Sequence, residues 1–266
     1  MIGAIIGDIV GSRFEWNNHK FKNFKFLTYK CFATDDSIMT LAVAEAIMSC
    51  QNDFTELGRA VVSSMQRLGR KYPEAGYGGH FMAWIYSEDP APYNSYGNGA
   101  AMRVSPCAYA ATSFEEALQL SQKVTEVTHN HPEGIKGAEA ATAAIWLARQ
   151  GQSIPEIRDY IHQHYYPMDF TLDGIRPTYI FDVTCQGTVP QAIMAFLESN
   201  DFEDAIRNAV SIGGDSDTIA AITGSIAQAY YGVPEEIRND VLIFLDDTQL
   251  KILLDFEEMY HLGPNG

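Results

Sequence analysis

The sequence has few basic residues and no long apolar run. It holds 18 lysines and arginines against 34 aspartates and glutamates, a formal net charge of −16 at pH 7. Such an average field repels a nucleic-acid duplex or an anionic membrane, so we expect neither as a partner. The apolar start, MIGAIIGDIVGS, lacks a basic flank, and Asp8 interrupts it. This stretch falls short of the roughly 20 residues that span a bilayer and does not fit a signal peptide.

Cysteine pairs are also missing. The four cysteines, Cys31, Cys50, Cys107 and Cys185, lie far apart and form no C-x-x-C pair. Neither a zinc cage nor a disulfide framework is therefore indicated. A reducing compartment fits this usage, and we expect a soluble protein of the cytoplasm.

Three common catalytic fingerprints are absent. The chain has no G-x-S-x-G elbow, no G-x-x-x-x-G-K phosphate loop and no dinucleotide-binding glycine pattern after a strand. Serine-triad hydrolases, nucleoside triphosphatases and dinucleotide dehydrogenases thereby lose support.

Apolar residues recur at three- and four-residue steps through most of the chain, which is typical of helices. Residues 36–50 show this spacing directly after Thr34 and Asp35, whose side chains can cap a helix. Further helices are predicted over 55–71, 114–128, 132–150, 189–198, 202–211 and 218–231. Only residues 179–183 (YIFDV) resemble a strand. With no Gly/Ser linker, charge block or long repeat, the sequence predicts one all-α domain over 1–266.

Small residues mark two segments. Gly3, Gly7 and Gly11 recur at every fourth position, and residues 218–229 are rich in alanine, glycine and serine. Because glycine destabilises a helix, its repetition on one face indicates the close approach of another backbone. We predict that both segments are central to the fold.

Two acidic clusters carry the strongest chemical signal. Thr34-Asp35-Asp36 and Asp215-Ser216-Asp217-Thr218 each open a predicted helix and offer carboxylates with a hydroxyl. Magnesium, manganese and calcium prefer such hard oxygen ligands. Helix capping alone would explain either cluster by itself. Four aspartates in one pocket would repel one another unless cations or protons neutralised them, so the hypothesis of a shared metal site requires the clusters to converge.

Other candidates are weaker when taken singly. Glu15 follows the glycine-rich segment and is either a solvated partner of Arg13 or a residue of the metal site, whereas Asp8 fits a buried capping or supporting group. The glycine-bounded stretch 94–103 could cradle a phosphate or form a tight turn. His129 and His131 alone make an incomplete zinc set.

Six sequence words occur in order across residues 7–224. They are GDIVGSRFE, TDDSIMT, YGNGAAMR, THNHPEGIKGA, GTVPQA and GGDSDTIAAITG. Because it carries these six motifs in this order, the chain resembles the ADP-ribosylglycohydrolases. The resemblance implies an all-α orthogonal helical bundle whose central cleft holds two Mg²⁺ or Mn²⁺ ions. It implies a hydrolase that removes ADP-ribose from modified side chains, with an ADP-ribosylated protein or a small ADP-ribose conjugate as its partner.

The resemblance also implies roles for individual residues. The metal ligands would be Thr34, Asp35, Asp36, Asp215, Asp217 and Thr218. Substrate contacts would be Ser95, Tyr96, Gly97, Asn98 and Gly99, which match a diphosphate loop, and His129, which matches a ribose or phosphate contact. Glu15 would admit or activate substrate and water.

The catalytic base and the substrate stay open at this point. Some relatives carry a further acidic residue before the YGNG loop, but residues 76–84 contain no aspartate or glutamate. Glu15, Asp36 or a metal-bound water could each serve as the base. Arginine-linked ADP-ribose is the default substrate, and O-linked or small-molecule conjugates are alternatives. The rival classes are an ADP-ribose-binding or structural protein without turnover and a two-metal phosphatase.

Overall fold

The computed structural model describes residues 1–262, and within them the chain is helical, so the predicted all-α class is confirmed. The helices are α1 (Ile2–Gly11), α2 (Asp35–Ser49), α3 (Leu57–Lys71), α4 (Gly79–Ile85), α5 (Gly99–Met102), α6 (Ser105–Ala110), α7 (Phe114–Thr125), α8 (Pro132–Arg149), α9 (Ile154–His164), α10 (Leu172–Ile175), α11 (Cys185–Leu197), α12 (Phe202–Ser211), α13 (Ser216–Tyr231), α14 (Glu235–Leu242) and α15 (Asp247–Met259). Residues 263–266 of the expected domain lie outside the described residues, and the single domain over 1–266 stays a prediction.

The predicted helix boundaries agree best with the structure where an ordinary capping residue begins the helix. The helix predicted over 202–211 forms over the same residues, because the Asp201 side chain accepts a hydrogen bond from Asp204 N at 2.8 Å. The one predicted to begin at residue 189 begins four residues earlier, where Thr184 accepts from Gly187 N at 3.1 Å. Pro190 therefore lies inside α11 and not at its start.

Several helices had no counterpart in the prediction. They are α4, α6, α9, α10, α14 and α15. Capping signals were present for two of them. Glu156 accepts from the backbone N–H of Ser153 at 2.7 Å before α9, and Asp246 and Gln249 form a reciprocal capping box before α15.

The strand prediction for residues 179–183 was wrong. This segment is neither helix nor strand, and the described residues contain no strand beside which it could pair. Its end makes one antiparallel bridge, between Gly97 and Thr184, with Asn98 N donating to Val183 O at 2.8 Å. Phe181 and Val183 of this segment line a cleft and do not belong to a sheet.

The close approach predicted from the small residues is confirmed. The residues of α1 are buried, and the helix packs along α13. A Cβ atom at Gly3 or Gly7 would overlap the carbonyl oxygen of Gly224 or Ala220, respectively. At Gly11 it would lie 2.5 Å from the Cα of Asp217. The glycine face of α1 thus brings the end of α1 against the acidic start of α13.

Across residues 1–262, we find no helix whose length and apolar character would suit it to crossing a membrane.

Candidate active site

The two acidic clusters converge, although they are distant in sequence. The Thr218 hydroxyl, at the start of α13, donates to Asp36 Oδ2, at the start of α2, at 3.1 Å. Carboxylate oxygens of Asp8, Asp36 and Asp217 lie within 4.8 Å of one another, and so do those of Glu15, Asp215 and Asp217. Asp217 belongs to both groups. The geometric requirement of the metal hypothesis is therefore met.

Asp8 holds the first cluster in place. Its Oδ2 accepts from Thr34 N at 2.9 Å and from Ser37 N at 3.0 Å, together with the Ser37 hydroxyl. Its Oδ1 accepts from the Thr34 hydroxyl at 2.6 Å. These bonds satisfy backbone donors at the start of α2, as expected for a buried capping group. They also occupy the Thr34 hydroxyl proton, so a lone pair of that oxygen stays free.

The second cluster is built from a glycine turn. Gly213 and Gly214 have φ angles of +70° and +78°, which other residues rarely adopt. Asn18, from the segment that follows Glu15, accepts from Gly214 N at 2.7 Å and donates to Gly214 O at 3.0 Å. The same amide donates to Glu15 O at 2.8 Å, so one side chain ties Glu15 to this turn.

Helix capping does not account for the second cluster. Thr34 caps α2 by accepting from Asp36 N at 3.4 Å, as the conventional interpretation predicts. Asp215 occupies the corresponding position of α13 but makes no side-chain capping bond. Its Oδ2 accepts instead from Asn98 Nδ2 at 2.7 Å, across the cleft floor. Asp215 is thus positioned by the YGNG loop.

Burial raises the pKa of each of these acids, and repulsion between carboxylates adds to the rise at several of them. Burial is the largest cause throughout, followed at Asp35, Asp36 and Asp217 by the charge of neighbouring aspartates. The pKa rises to about 6 for Asp8, about 7 for Glu15 and about 8 for Asp35, and it rises above its usual range for Asp36, Asp215 and Asp217. The cluster therefore favours protons or cations over empty carboxylates.

The donor set fits a divalent cation. Asp36 Oδ1 is buried and has no hydrogen-bond partner among the described residues, although a buried carboxylate oxygen normally has one. Around it stand carboxylates and threonine hydroxyls, the hard ligands of Mg²⁺ and Mn²⁺.

A cleft of about 410 Å³ opens over this cluster. Eleven of the predicted site residues line it: Glu15, Asp35, Asp36, Ser95, Gly97, Asn98, Gly99, His129, Asp215, Asp217 and Thr218. Thr34 lies behind them, bonded to Asp8. A larger, shallower groove of about 910 Å³ between α2, α3 and α15 contains none of these residues.

Tyr96, a predicted substrate contact, and His131, a residue of the histidine pair, do not line the cleft. The Tyr96 ring is 46% exposed and lies 5.1 Å from the His131 ring, centroid to centroid. His131 caps α8, where its Nδ1 accepts from Glu133 N at 3.1 Å. His131 is therefore a capping residue, in agreement with the view that the two histidines do not form a metal pair.

The mouth of the cleft contains residues that the sequence reasoning missed. The rings of Trp16 and Phe181 stack there, with centroids 5.1 Å apart and planes 23° from parallel. Trp16 is 81% exposed. A tryptophan directly after Glu15 was a usable signal, but nothing in the sequence pairs it with Phe181. Arg103 also lines the cleft, and so do Gly78 and Gly79, where the sequence allowed either a close ligand approach or a simple loop.

These features define an all-α protein with an acidic, cation-fitting cleft floored by the starts of two distant helices. The sequence model of the ADP-ribosylglycohydrolase family matches residues 1–260, and the chain belongs to that family.

Individual members of the family share a low sequence identity with this chain. ADP-ribosylhydrolase ARH3 of Homo sapiens is 24% identical, over 88% of this chain and 85% of that protein. ADP-ribosylarginine hydrolase Tri1 of Pseudomonas putida is 26% identical, over 88% and 70%. ADP-ribosyl-[dinitrogen reductase] glycohydrolase of Rhodospirillum rubrum is 30% identical, over 54% and 50%. A solved structure titled ADP-ribosylglycohydrolase-related protein complex shares the fold, with a TM-score of 0.69, 24% identity and coverage of 99% and 94%.

Proposed function

We propose that this protein is a metal-dependent hydrolase that cleaves the glycosidic bond between ADP-ribose and a modified arginine side chain. The observation that carries the proposal is the convergence of Glu15, Asp36, Asp215 and Asp217 in one cleft with the Ser95–Gly99 loop and His129. The family match supports ADP-ribose as the group released.

We assign two divalent cations, Mg²⁺ or Mn²⁺, to the acidic floor. Thr34, Asp35, Asp36, Asp215, Asp217 and Thr218 are the proposed ligands. When bound, such cations act as Lewis acids and orient the substrate. They would also offset the negative charge of the floor, so that an anionic diphosphate can enter.

The protein groups supply the remaining chemistry. Bond cleavage at the anomeric carbon passes through a species with oxocarbenium character, which nearby carboxylates stabilise. Glu15 is our choice for the group that orients the attacking water and takes its proton, because it is half-buried and lines the open part of the cleft. Asp36 is less accessible, at 2% exposure. Asn98 is tied to Asp215 and thereby couples the proposed diphosphate loop to the floor.

The arginine linkage is supported by the mouth of the cleft. Trp16 and Phe181 present a stacked aromatic surface next to Glu15, and a planar guanidinium stacks well on such surfaces. The relative Tri1 is described as an ADP-ribosylarginine hydrolase. A cytoplasmic location is also our proposal, and the free thiols of Cys31, Cys50, Cys107 and Cys185 are compatible with it.

The test is the release of ADP-ribose from an ADP-ribosylarginine peptide, with Mg²⁺ or Mn²⁺ and with a chelator. We expect release with the metal and loss of release with the chelator. A serine-linked peptide and a small ADP-ribose conjugate run in parallel identify the acceptor.

Each rival class predicts another result. Binding of ADP-ribose without turnover of any conjugate would identify a binding protein, and release of inorganic phosphate would identify a phosphatase. Turnover of O-linked conjugates alone would refute the arginine assignment and keep the hydrolase.

A further inference from the structure

A buried chain of three polar side chains ends at the cleft wall. Arg103 Nη2 donates to the Thr128 hydroxyl at 2.7 Å, and that hydroxyl lies 2.7 Å from His129 Nδ1. Arg103 is 1% exposed, Thr128 is fully buried and His129 is 5% exposed. Because water scarcely reaches these atoms, their protons must be shared within the chain.

Counting the protons leaves one arrangement. Arginine only donates, so the Thr128 oxygen accepts from Arg103 and must place its own proton elsewhere. In residues 1–262 the remaining contact of that hydroxyl is His129 Nδ1. The second proton of Arg103 Nη2 lies between Val124 O, at 3.4 Å, and Nδ1, at 3.5 Å. A proton on Nδ1 would face that donor and would strand the threonine proton, so Nδ1 is the acceptor.

His129 is therefore neutral and carries its proton on Nε2. Burial and the nearby charge of Arg103 lower its pKa well below the usual value, which agrees with a neutral ring. Arg103 itself makes no ion pair with a carboxylate in the described part of the chain. The Arg103 guanidinium lies on the Nδ1 side of the ring, and its charge disfavours a second proton on His129.

The Nε2 side of the ring faces the proposed substrate loop. A Cβ atom at Gly97 or Gly99 would lie 3.5 or 3.4 Å from Nε2, so only a glycine leaves this atom uncovered on that side. His129, Gly97 and Gly99 line the cleft together. Within the described residues, Nε2 has no hydrogen-bond partner.

We propose that Thr128 is a positioning residue, which with Arg103 locks His129 as an Nε2–H donor for an anionic oxygen of the ligand beside Gly97 and Gly99. The proposal rests on the proposed function only in taking ADP-ribose as that ligand. It assigns His129 a fixed donor role, so a ligand group that could only donate would be excluded at this position.

The first test reads the tautomer directly. Two-bond ¹⁵N–¹H correlation spectra of the labelled full-length protein distinguish the two neutral forms of histidine, and the spectrum of His129→Gln identifies the His129 signal. We expect the proton on Nε2 in the wild type and in Thr128→Ser, which keeps the hydroxyl. Thr128→Val has the same shape without the hydroxyl, and we expect a mixture of the two tautomers, because Arg103 still lies beside Nδ1. A wild-type ring protonated on Nδ1 overturns the proposal.

The second test measures binding of ADP-ribose by calorimetry. Loss of one fixed donor should weaken binding about tenfold in Thr128→Val and leave Thr128→Ser near the wild type. Equal binding by the wild type, Thr128→Val and Thr128→Ser overturns the part of the proposal that assigns the ligand contact. Absence of ADP-ribose binding by the wild type does the same. If Thr128→Val fails to fold, the wild-type spectrum and Thr128→Ser still decide the tautomer. Failure to hydrolyse arginine conjugates would refute the proposed function without changing either readout.

Discussion

The start of α2 and the start of α13 deliver aspartates to the same cleft from different surroundings. At α2 a buried carboxylate, Asp8, gathers backbone and hydroxyl donors. At α13 two glycines with positive φ angles shape the turn, and the amides of Asn18 and Asn98 hold it. The first start is a capped helix that also offers ligands, whereas the second departs from ordinary capping. A departure from ordinary capping is therefore the more specific sign of a functional site.

The largest expected effect comes from the aspartate that both groups share. Asp217→Asn keeps the shape but removes one carboxylate charge from each of the two groups. Metal ions supply several kcal/mol of transition-state stabilisation, so turnover of the ADP-ribosyl conjugate should fall by about a thousandfold or more.

The matched control for Asp217→Asn is Asp53→Asn, an exposed cap outside the cleft, which should keep full turnover. Calorimetric titration with Mg²⁺ gives the second readout. Undiminished metal uptake by Asp217→Asn would contradict a shared ligand.

The stability of the metal-free protein should depend on pH in a way that reports on the acids. The pKa values of Asp8 and Asp35 are raised to about 6 and about 8 by burial. A raised folded-state pKa means that the folded protein holds protons that the unfolded chain has lost. The free energy of unfolding should therefore be highest near pH 4 and fall as the pH rises to 8.

A carboxyl whose pKa is higher by about two in the folded state than in the unfolded state changes the free energy of unfolding by about 3 kcal/mol. This value sets the size of the effect for one such group. Urea denaturation in a chelator at several pH values measures this change. Adding Mg²⁺ at pH 8 should restore stability, because the cation binds only deprotonated ligands. A free energy of unfolding that rises with pH in the chelator would contradict this account of the cluster.

The supports of the two helix starts can be compared directly. Asp8→Asn replaces an acceptor of four hydrogen bonds with an amide that cannot accept all of them, and we expect metal affinity to drop by about 10- to 100-fold. Asn18→Ala removes neutral bonds to Gly214 while the glycine turn persists, so the drop should stay below about tenfold. Metal titrations of the two variants rank the supports. The reverse ranking would show that the glycine turn depends on Asn18 more than α2 depends on Asp8.

The chemistry of the site was easier to predict than its geometry. Two acidic clusters at helix starts were sufficient to predict hard-oxygen ligands, because ligand type is a property of the residues themselves. That Asp217 belongs to both groups depends on how α1, α2 and α13 pack, which no local pattern encodes. The pairing of Trp16 with Phe181 is long-range for the same reason, and the apolar run that contains Phe181 was misinterpreted as a strand.

For the fold, too, local features could be predicted from the sequence and long-range packing could not. Long periodic segments such as Pro132–Arg149 were predicted to within a residue, since their apolar face and capping residues are both local signals. The four-residue helices α5 and α10 are too short to show a period. The glycine spacing of α1 was the exception, because a packing requirement between distant segments was visible in one of them.

The smallest change to a side chain, a single added methyl group, tests how the end of α1 holds the second acidic cluster. In Gly11→Ala the added Cβ would lie 2.5 Å from Asp217 Cα and from Ser216 O, so the start of α13 must shift. Overpacking of this kind costs about 1–3 kcal/mol. Gly58→Ala is the matched control, because its Cβ would meet only Val127 Cγ1 at 3.9 Å and alanine favours the helix by up to about 1 kcal/mol. Urea denaturation should therefore separate the two variants in opposite directions. If Gly11→Ala proved as stable as the wild type and kept its metal affinity, the close contact would not position Asp217. The second helix start would then be held by its glycine turn and by the amides of Asn18 and Asn98.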